Sequence, residues 1–219
     1  MSVLTIASSK GGPGKTTVCQ LLAGSLADES KLVLLDSDPS QALSRWAKSA
    51  YEGVPFETVA EPDETRLAHL IAAKADIADL VIVDTAGFRN RAASVAMTSA
   101  DAVIVPTLSG EADVTEAEKT MQLIDGLSRA ARREIPARVL LNRVRKTTLA
   151  RHAVAEVTAA GLAQFTATLS DLVAYGEMTY SGRVPTAGLA GAEVATLIAE
   201  LRELGWVPVS KASRAHVRP

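Results

Sequence analysis

One stretch of nine residues limits this chain more than any other: Ser9-Lys10-Gly11-Gly12-Pro13-Gly14-Lys15-Thr16-Thr17. It follows an apolar run, Val3 to Ala7, and precedes Val18, Leu21, Leu22 and Leu26 at helical spacing. In a glycine loop between a strand and a helix, backbone N–H groups can turn toward phosphate oxygens with the positive end of the helix dipole behind them. Lys15 then supplies a charge for the outer phosphates, and Thr16 a hydroxyl for Mg²⁺. The ligand implied is a nucleotide. A helix start with exposed polar residues is the plainer reading, but it leaves three glycines and two lysines between Lys10 and Lys15 unexplained.

The rest of the chain repeats the strand-then-helix order. Leu32 to Leu35 ends at Asp36, Leu80 to Val83 at Asp84, Ala102 to Val105 is stopped by Pro106, and Val139 to Leu141 by Asn142. Helical spacing marks about 113–131 and 191–204, with Gly205 as a stop, while Phe56 to Val59 reads as an edge strand before a turn at Pro62. Short apolar strands separated by helices imply an α/β fold: a mostly parallel, twisted sheet with helices on both faces. Only 4% of residues are aromatic, so Ala, Val, Leu and Ile must fill the core. Ligands of such sheets sit outside the carboxyl ends of the strands, which is where Asp36, Asp84, Pro106 and Asn142 fall. No repeat or long linker divides the chain, so residues 1–207 are expected to be one domain and 208–219 a frayed basic tail.

Several classes drop out. One cysteine, Cys19, supplies neither a disulfide nor the thiolates of a zinc or iron–sulfur site, and it reads as a core filler. His69, His152 and His216 lack ligand spacing, and Trp46 and Trp206 read as packing residues. Neither a signal sequence nor a membrane span is legible, so a cytoplasmic protein is expected. The net charge of -2 hides a basic island: Arg129 to His152 holds eight Lys/Arg against Glu134. Clustered cations suit phosphates, although most charge runs are solvated surface.

The loop departs from the general phosphate-loop pattern in an informative way. Ser9 stands where that pattern has glycine, and Lys10 adds a second lysine. With Gly-Gly and Gly-Lys-Thr-Thr following, it resembles the deviant Walker A motif of the ParA/MinD family of P-loop ATPases. Leu34-Leu35-Asp36-Ser37-Asp38-Pro39 resembles that family's D-x-D-P element, and Val81-Ile82-Val83-Asp84-Thr85-Ala86-Gly87 its Walker B strand. Val103 to Pro106 followed by Asp113, and Leu141-Asn142-Arg143, also sit where the family has similar segments. The matches run from about residue 2 to 145, with a looser likeness near Ser181-Gly182-Arg183, and the chain's size resembles the short ParA type, including ParF-like and VirC1-like proteins.

The resemblance implies a P-loop NTPase fold, ATP and Mg²⁺ as ligands, and slow, partner-stimulated ATP hydrolysis that partitions or positions a plasmid or other cargo. It assigns nucleotide binding to Lys10, Gly11, Gly12, Pro13, Gly14, Lys15, Thr16 and Thr17, with Asn142 near the adenine. Mg²⁺ falls to Thr16, Asp36 and Asp84. Catalysis falls to Lys15, to Asp38 on the attacking water, and to Lys10, which in the family reaches across a nucleotide sandwich dimer to the partner's ATP. Read from the residues alone, Asp36 and Asp38 could be strand-end and turn formers, but paired with this phosphate loop they read better as a magnesium and water site. The implied partners are a second copy of the chain when ATP is bound, non-specific DNA through Arg143, Arg145, Lys146 and Arg183, and a ParB-like activator or cargo adaptor. Nucleoid association in the ATP state follows, with no membrane. Two departures bear on nucleotide handling: Ser40 replaces the usual Gln, and Pro13 lacks an N–H, where each hydrogen bond to a charged group contributes roughly 1.5–3 kcal/mol. Two other readings share the scaffold. A MinD-like spatial regulator expects a bulky amphipathic C-terminal helix, which Pro208 to Pro219 does not offer. A metabolic ligase resembling dethiobiotin synthetase fits Lys10 and the Asp-Ser-Asp-Pro element less well.

Overall fold

The computed structural model describes residues 2–87, 91–145 and 148–210, the side chains of 148–151 excepted. Lys146 and most of the basic tail therefore lie outside the described residues. Six strands, β1 (Ser2–Ile6), β2 (Leu32–Asp36), β3 (Glu57–Ala60), β4 (Leu80–Asp84), β5 (Ala102–Thr107) and β6 (Ala137–Leu141), form one sheet in the order β3-β2-β4-β1-β5-β6. Every pairing is parallel. The helices among the described residues are α1 (Lys15–Leu26), α2 (Ala42–Ser49), α3 (Glu64–Ala75), α4 (Arg91–Ser99), α5 (Glu111–Ala131), α6 (Thr148–Ala159), α7 (Val173–Ser181) and α8 (Gly188–Glu203). This is the α/β architecture that the apolar runs predict.

Strands β1, β2, β4 and β5 are buried at every residue, which is why they read as continuous apolar runs without polar alternation. The pleat nonetheless sorts their side chains. Leu4, Ile6, Leu34, Ile82 and Ile104 face the core built with α1, α2, α7 and α8. Val3, Val33, Leu35, Val81 and Val83 face α3 and α4, and Val103, Val105, Val139 and Leu141 face α5 and α6. Cys19 is buried in the first of these cores. Trp46 sits there too, its indole donating to the Met178 carbonyl at 3.0 Å, and Trp206 meets Phe165 edge-on at 5.5 Å.

One strand boundary differs from the sequence reading. Pro106 does not stop β5, which runs through it to Thr107. The Ile104 carbonyl accepts from the Ala7 N–H, so Pro106, two residues on, turns its nitrogen to the same side. There β1 has already ended at Ile6, and the absent N–H removes no ladder bond.

The register fixes what lies under the phosphate loop. Asp84 is level with Ile6 on one neighbour and with Asp36 on the other. The two carboxylates therefore stand side by side at the strand ends from which the loop after β1 departs. The outer edge of β6 is covered by residues 163–171, whose backbone pairs with Val139, Leu141 and Val144. Two α8 carboxylates hold that segment: Glu193 accepts from the Ser170 N–H and the Tyr175 hydroxyl, and Glu200 from the N–H groups of Thr166 and Ala167. Burial and the Glu193 contact push the Tyr175 phenol well above its ordinary range.

Candidate nucleotide site

The loop from Ser8 to Thr17 turns on two glycines with left-handed backbone, Gly12 at φ 93° and Gly14 at φ 95°. Gly14 caps α1 with no side-chain hydrogen bond, and α1 has no acidic residue in its own first turn. A β-carbon on Gly14 would lie 2.1 Å from the Asn142 amide nitrogen. Only glycine lets the Asn142 amide donate to the Pro13 carbonyl at 2.7 Å, a bond that ties the loop to the end of β6. Pro13 thus serves the loop through its carbonyl.

Lys15 is buried, and its amine donates to the Ser8 hydroxyl at 3.3 Å and the Lys10 carbonyl at 3.2 Å. Burial lowers its pKa, with Asp84 and then Asp38 pulling it back up. The Thr16 hydroxyl donates to one Asp84 oxygen at 2.8 Å, whereas the other Asp84 oxygen is buried without a hydrogen-bond partner. Burial raises the Asp84 pKa to about 7, against the opposing Thr16 bond.

Asp36 is wholly buried and both of its oxygens are engaged, accepting from the Asp38 N–H at 3.2 Å and the Ser44 N–H at 2.8 Å. Burial raises its pKa, and the Ser44 bonds oppose the rise. Asp36 thereby folds the turn that carries Asp38. Asp38 in turn accepts from the Ser40 N–H at 2.8 Å, so the backbone of residue 40 does what the sequence change at that position left open. Ser37, which the sequence reading passed over, closes the group: its N–H and hydroxyl both donate to the Asp84 carbonyl, at 3.0 and 2.8 Å.

Among the described residues, no group of three or more His, Cys, Asp or Glu is placed to hold a metal ion. Mg²⁺ does not need one, because it keeps several waters and takes one or two carboxylates together with phosphate oxygens. The orphaned Asp84 oxygen beside the Thr16 hydroxyl, with Asp36 on the adjacent strand, is a donor set of hard oxygens that fits this ion.

Lys10 faces the other way. Its half-exposed amine forms an ion pair with Asp113 of α5 at 2.8 Å, and that contact raises its pKa. The preceding residue is pinned to the same helix: the Ser9 N–H donates to the Thr120 hydroxyl oxygen at 3.0 Å, and the Ser9 hydroxyl to the Glu116 carboxylate at 2.8 Å. Lys119, then Ser9, lower the Glu116 pKa. Gly87 lies close by, where a β-carbon would stand 3.8 Å from the loop backbone. Thr17, Asn142, Asp171, Leu172 and Tyr175 line a cavity of about 180 Å³ on the far side of the loop. Of these, Asp171, Leu172 and Tyr175 carry no local sequence signal.

Arg143 lines that cavity and Arg145 flanks it, while Arg183 lies apart from both. Arg143 is exposed, and Arg145 pairs with Asp171 at 2.7 Å beside that cavity. Arg183 pairs with Glu52 at 2.7 Å, past the opposite end of α7. Within the basic island, Arg129 pairs with Asp125, Arg133 donates to the carbonyls of Thr98 and Ala100, and Arg138 to that of Gln164.

Comparison with known proteins agrees with this geometry. A family model described as VirC1 protein matches residues 1–202. A protein named ParA from Rhizobium radiobacter is 34% identical over 147 residues, which is 66% of this chain and 65% of the relative. A virC1 protein from Rhizobium radiobacter is 31% identical over 150 residues, again 66% of this chain and 65% of the relative. These matches thus span just under two thirds of the relatives' length. Among solved structures, a Cyanothece McdA variant in complex with ATP superposes with a TM-score of 0.79 at 17% identity, covering 96% of this chain and 99% of that one. The shared fold is that of the P-loop NTPases.

Proposed function

This chain belongs to the VirC1 family, and from that premise we propose that it is an ATPase whose ATP-bound form is a homodimer that binds DNA without sequence preference and positions a cargo on it. The observation that carries the reading is the opposed placement of two lysines in one loop. Lys15 is buried beside Asp84 and Thr16, while the Lys10 amine is turned outward onto Asp113. One lysine serves the chain's own nucleotide, and the other is free to be offered to a second copy. The ATP bound to the McdA of similar fold supports ATP as the nucleotide.

Phosphoryl transfer asks a protein mainly for positioning and neutralised charge. The N–H groups of Gly11, Gly12, Gly14, Lys15, Thr16 and Thr17 and the Lys15 amine hold the phosphates. Thr16 and Asp84 would hold Mg²⁺, with Asp36 supporting from the adjacent strand, and the bound ion would neutralise charge on the outer phosphates. Asp38, fixed by Asp36 and Ser40, orients the water that attacks the γ-phosphorus as the bond to the ADP oxygen breaks. Lys10 of each chain faces the γ-phosphate held by the other. Nucleotide then favours association, and hydrolysis releases it. Asn142 and the cavity beside it take the base.

A dimer doubles the phosphate contacts a monomer offers, which multiplies both DNA affinity and salt sensitivity. Arg143, Arg145, Lys146 and Arg183 are the proposed DNA contacts, and a ParB-like partner is the proposed activator. The test is fluorescence anisotropy of an arbitrary labelled duplex with ATP and Mg²⁺ against ADP, alongside ATP turnover with and without DNA. Retention in ATP that fades steeply with salt is expected. Turnover without DNA retention in either nucleotide would point to a metabolic ligase instead.

A further inference from the structure

We propose that Glu116 and Thr120 of α5 are positioning residues for Lys10, acting through Ser9. The inference rests on the reading of Lys10 given above and adds the device that aims it. Ser9 is bound to α5 through both its backbone and its side chain: its N–H donates to Thr120 Oγ1 at 3.0 Å, and its hydroxyl is shared between the Glu116 carboxylate at 2.8 Å and the Glu116 carbonyl at 2.9 Å. Thr120 is itself oriented by donating to that carbonyl at 2.8 Å, and the second Glu116 oxygen is held by Lys119 at 2.6 Å. One residue further on, the Lys10 carbonyl accepts from the Ser8 hydroxyl at 2.8 Å and from Lys15.

The chain is therefore tied at Ser9, one residue before Lys10, and again at the Lys10 carbonyl, and the lysine side chain is the part left to move. Leaving Asp113 for a phosphate on a second copy is a rotation of the lysine stem about a fixed pivot, with no rearrangement of the loop that holds the first nucleotide. This arrangement also gives the Ser9 departure from the glycine pattern a purpose. Glycine there keeps the N–H bond to Thr120 but loses the hydroxyl that reaches Glu116. Asp113 and Glu116 lie one helical turn apart, so the pivot and the resting place of the amine are set by the same face of α5.

The experiment compares Ser9→Ala and Thr120→Val with the conservative Ser9→Thr and Thr120→Ser. Backbone ¹⁵N relaxation of the nucleotide-free chain should show lower order parameters at Ser9 to Gly12 in the first pair and near-native values in the second. Titration with a fluorescent ATP analogue should leave affinity within about twofold while turnover falls roughly tenfold or more in the first pair and recovers in the second. Unchanged order parameters in Ser9→Ala and Thr120→Val would overturn the proposal, as would affinity and turnover falling together, which marks general damage to the loop. The relaxation arm needs no turnover, so a native chain that failed to hydrolyse ATP would sink the ATPase reading and still leave the pivot decided.

Discussion

The floor of the phosphate loop and its outer arm are built from the same residue types on opposite terms. On the floor, Lys15, Asp36 and Asp84 are buried, and burial moves all three pKa values toward the neutral form. On the arm, Lys10 is half exposed and its pKa moves the other way, toward the charged form, because Asp113 is its partner. A charge held in a low-dielectric floor is expensive unless a counter-ion arrives, so the floor is prepared for a ligand that brings phosphate and a cation together. A charge held in an exposed ion pair is exchanged at little cost. On the proposed reading the floor binds and the arm switches.

Replacing each lysine should separate the two. Lys15→Ala is expected to have the largest effect, with turnover down by about 10³-fold and ATP affinity falling with it, read by phosphate release and a fluorescent-nucleotide titration. Lys10→Ala should cut turnover by about 10²-fold while leaving the affinity of the single chain for nucleotide close to native, since on the proposed reading its amine meets a phosphate only in the dimer. Equal loss of affinity in both variants would erase the distinction between floor and arm.

The floor carries a pH signature. The Asp84 pKa is raised from 3.8 to about 7, so between those values the folded chain holds a proton that the unfolded chain has released. The stability this proton confers is present at low pH and is lost as pH rises through about 7. Asp84→Asn keeps an acceptor for Thr16 and removes the buried charge. The nucleotide-free variant should melt roughly 2–8 °C above native at pH 7.5, with the gap closing toward pH 5, while Mg²⁺-dependent turnover is lost. A gap that does not shrink on acidification would place its origin elsewhere than in the Asp84 charge.

The smallest effect belongs to the arm's resting place. Asp113→Asn weakens the ion pair that keeps Lys10 at home, and it should lower the chain concentration needed for ATP-dependent association by roughly twofold to fivefold, measured by sedimentation. A higher concentration requirement would show that Asp113 aids association instead of opposing it.

What the sequence disclosed about this site followed from how far apart its partners lie. The loop, the Asp36-Ser37-Asp38-Pro39 element and the Asp84 strand end are each written in a few adjacent residues, so their chemistry is readable locally. Parallel order is readable too, because strands buried on both faces cannot alternate. The Ser9 bonds to Glu116 and Thr120 join residues 107 and 111 positions apart, and nothing near Ser9 announces them. The same holds for Glu193 and Glu200, which an amphipathic pattern shows only as the polar face of α8 and which the fold uses to hold residues 166–170. Pro106 was a strand stop by composition and a tolerated strand residue by neighbourhood. The basic island shows the same limit: charge adjacency in sequence says nothing about which carbonyl or carboxylate Arg129, Arg133 or Arg138 meets.

The most direct measurement is the solution mass of the Asp38→Ala chain with ATP and Mg²⁺, by size-exclusion chromatography with light scattering. With hydrolysis blocked, twice the 22.9 kDa chain mass is expected, returning to a single chain when Lys10→Ala is added or ADP replaces ATP. A single-chain mass with ATP demonstrably bound, or a double mass that survives the loss of Lys10, would contradict it.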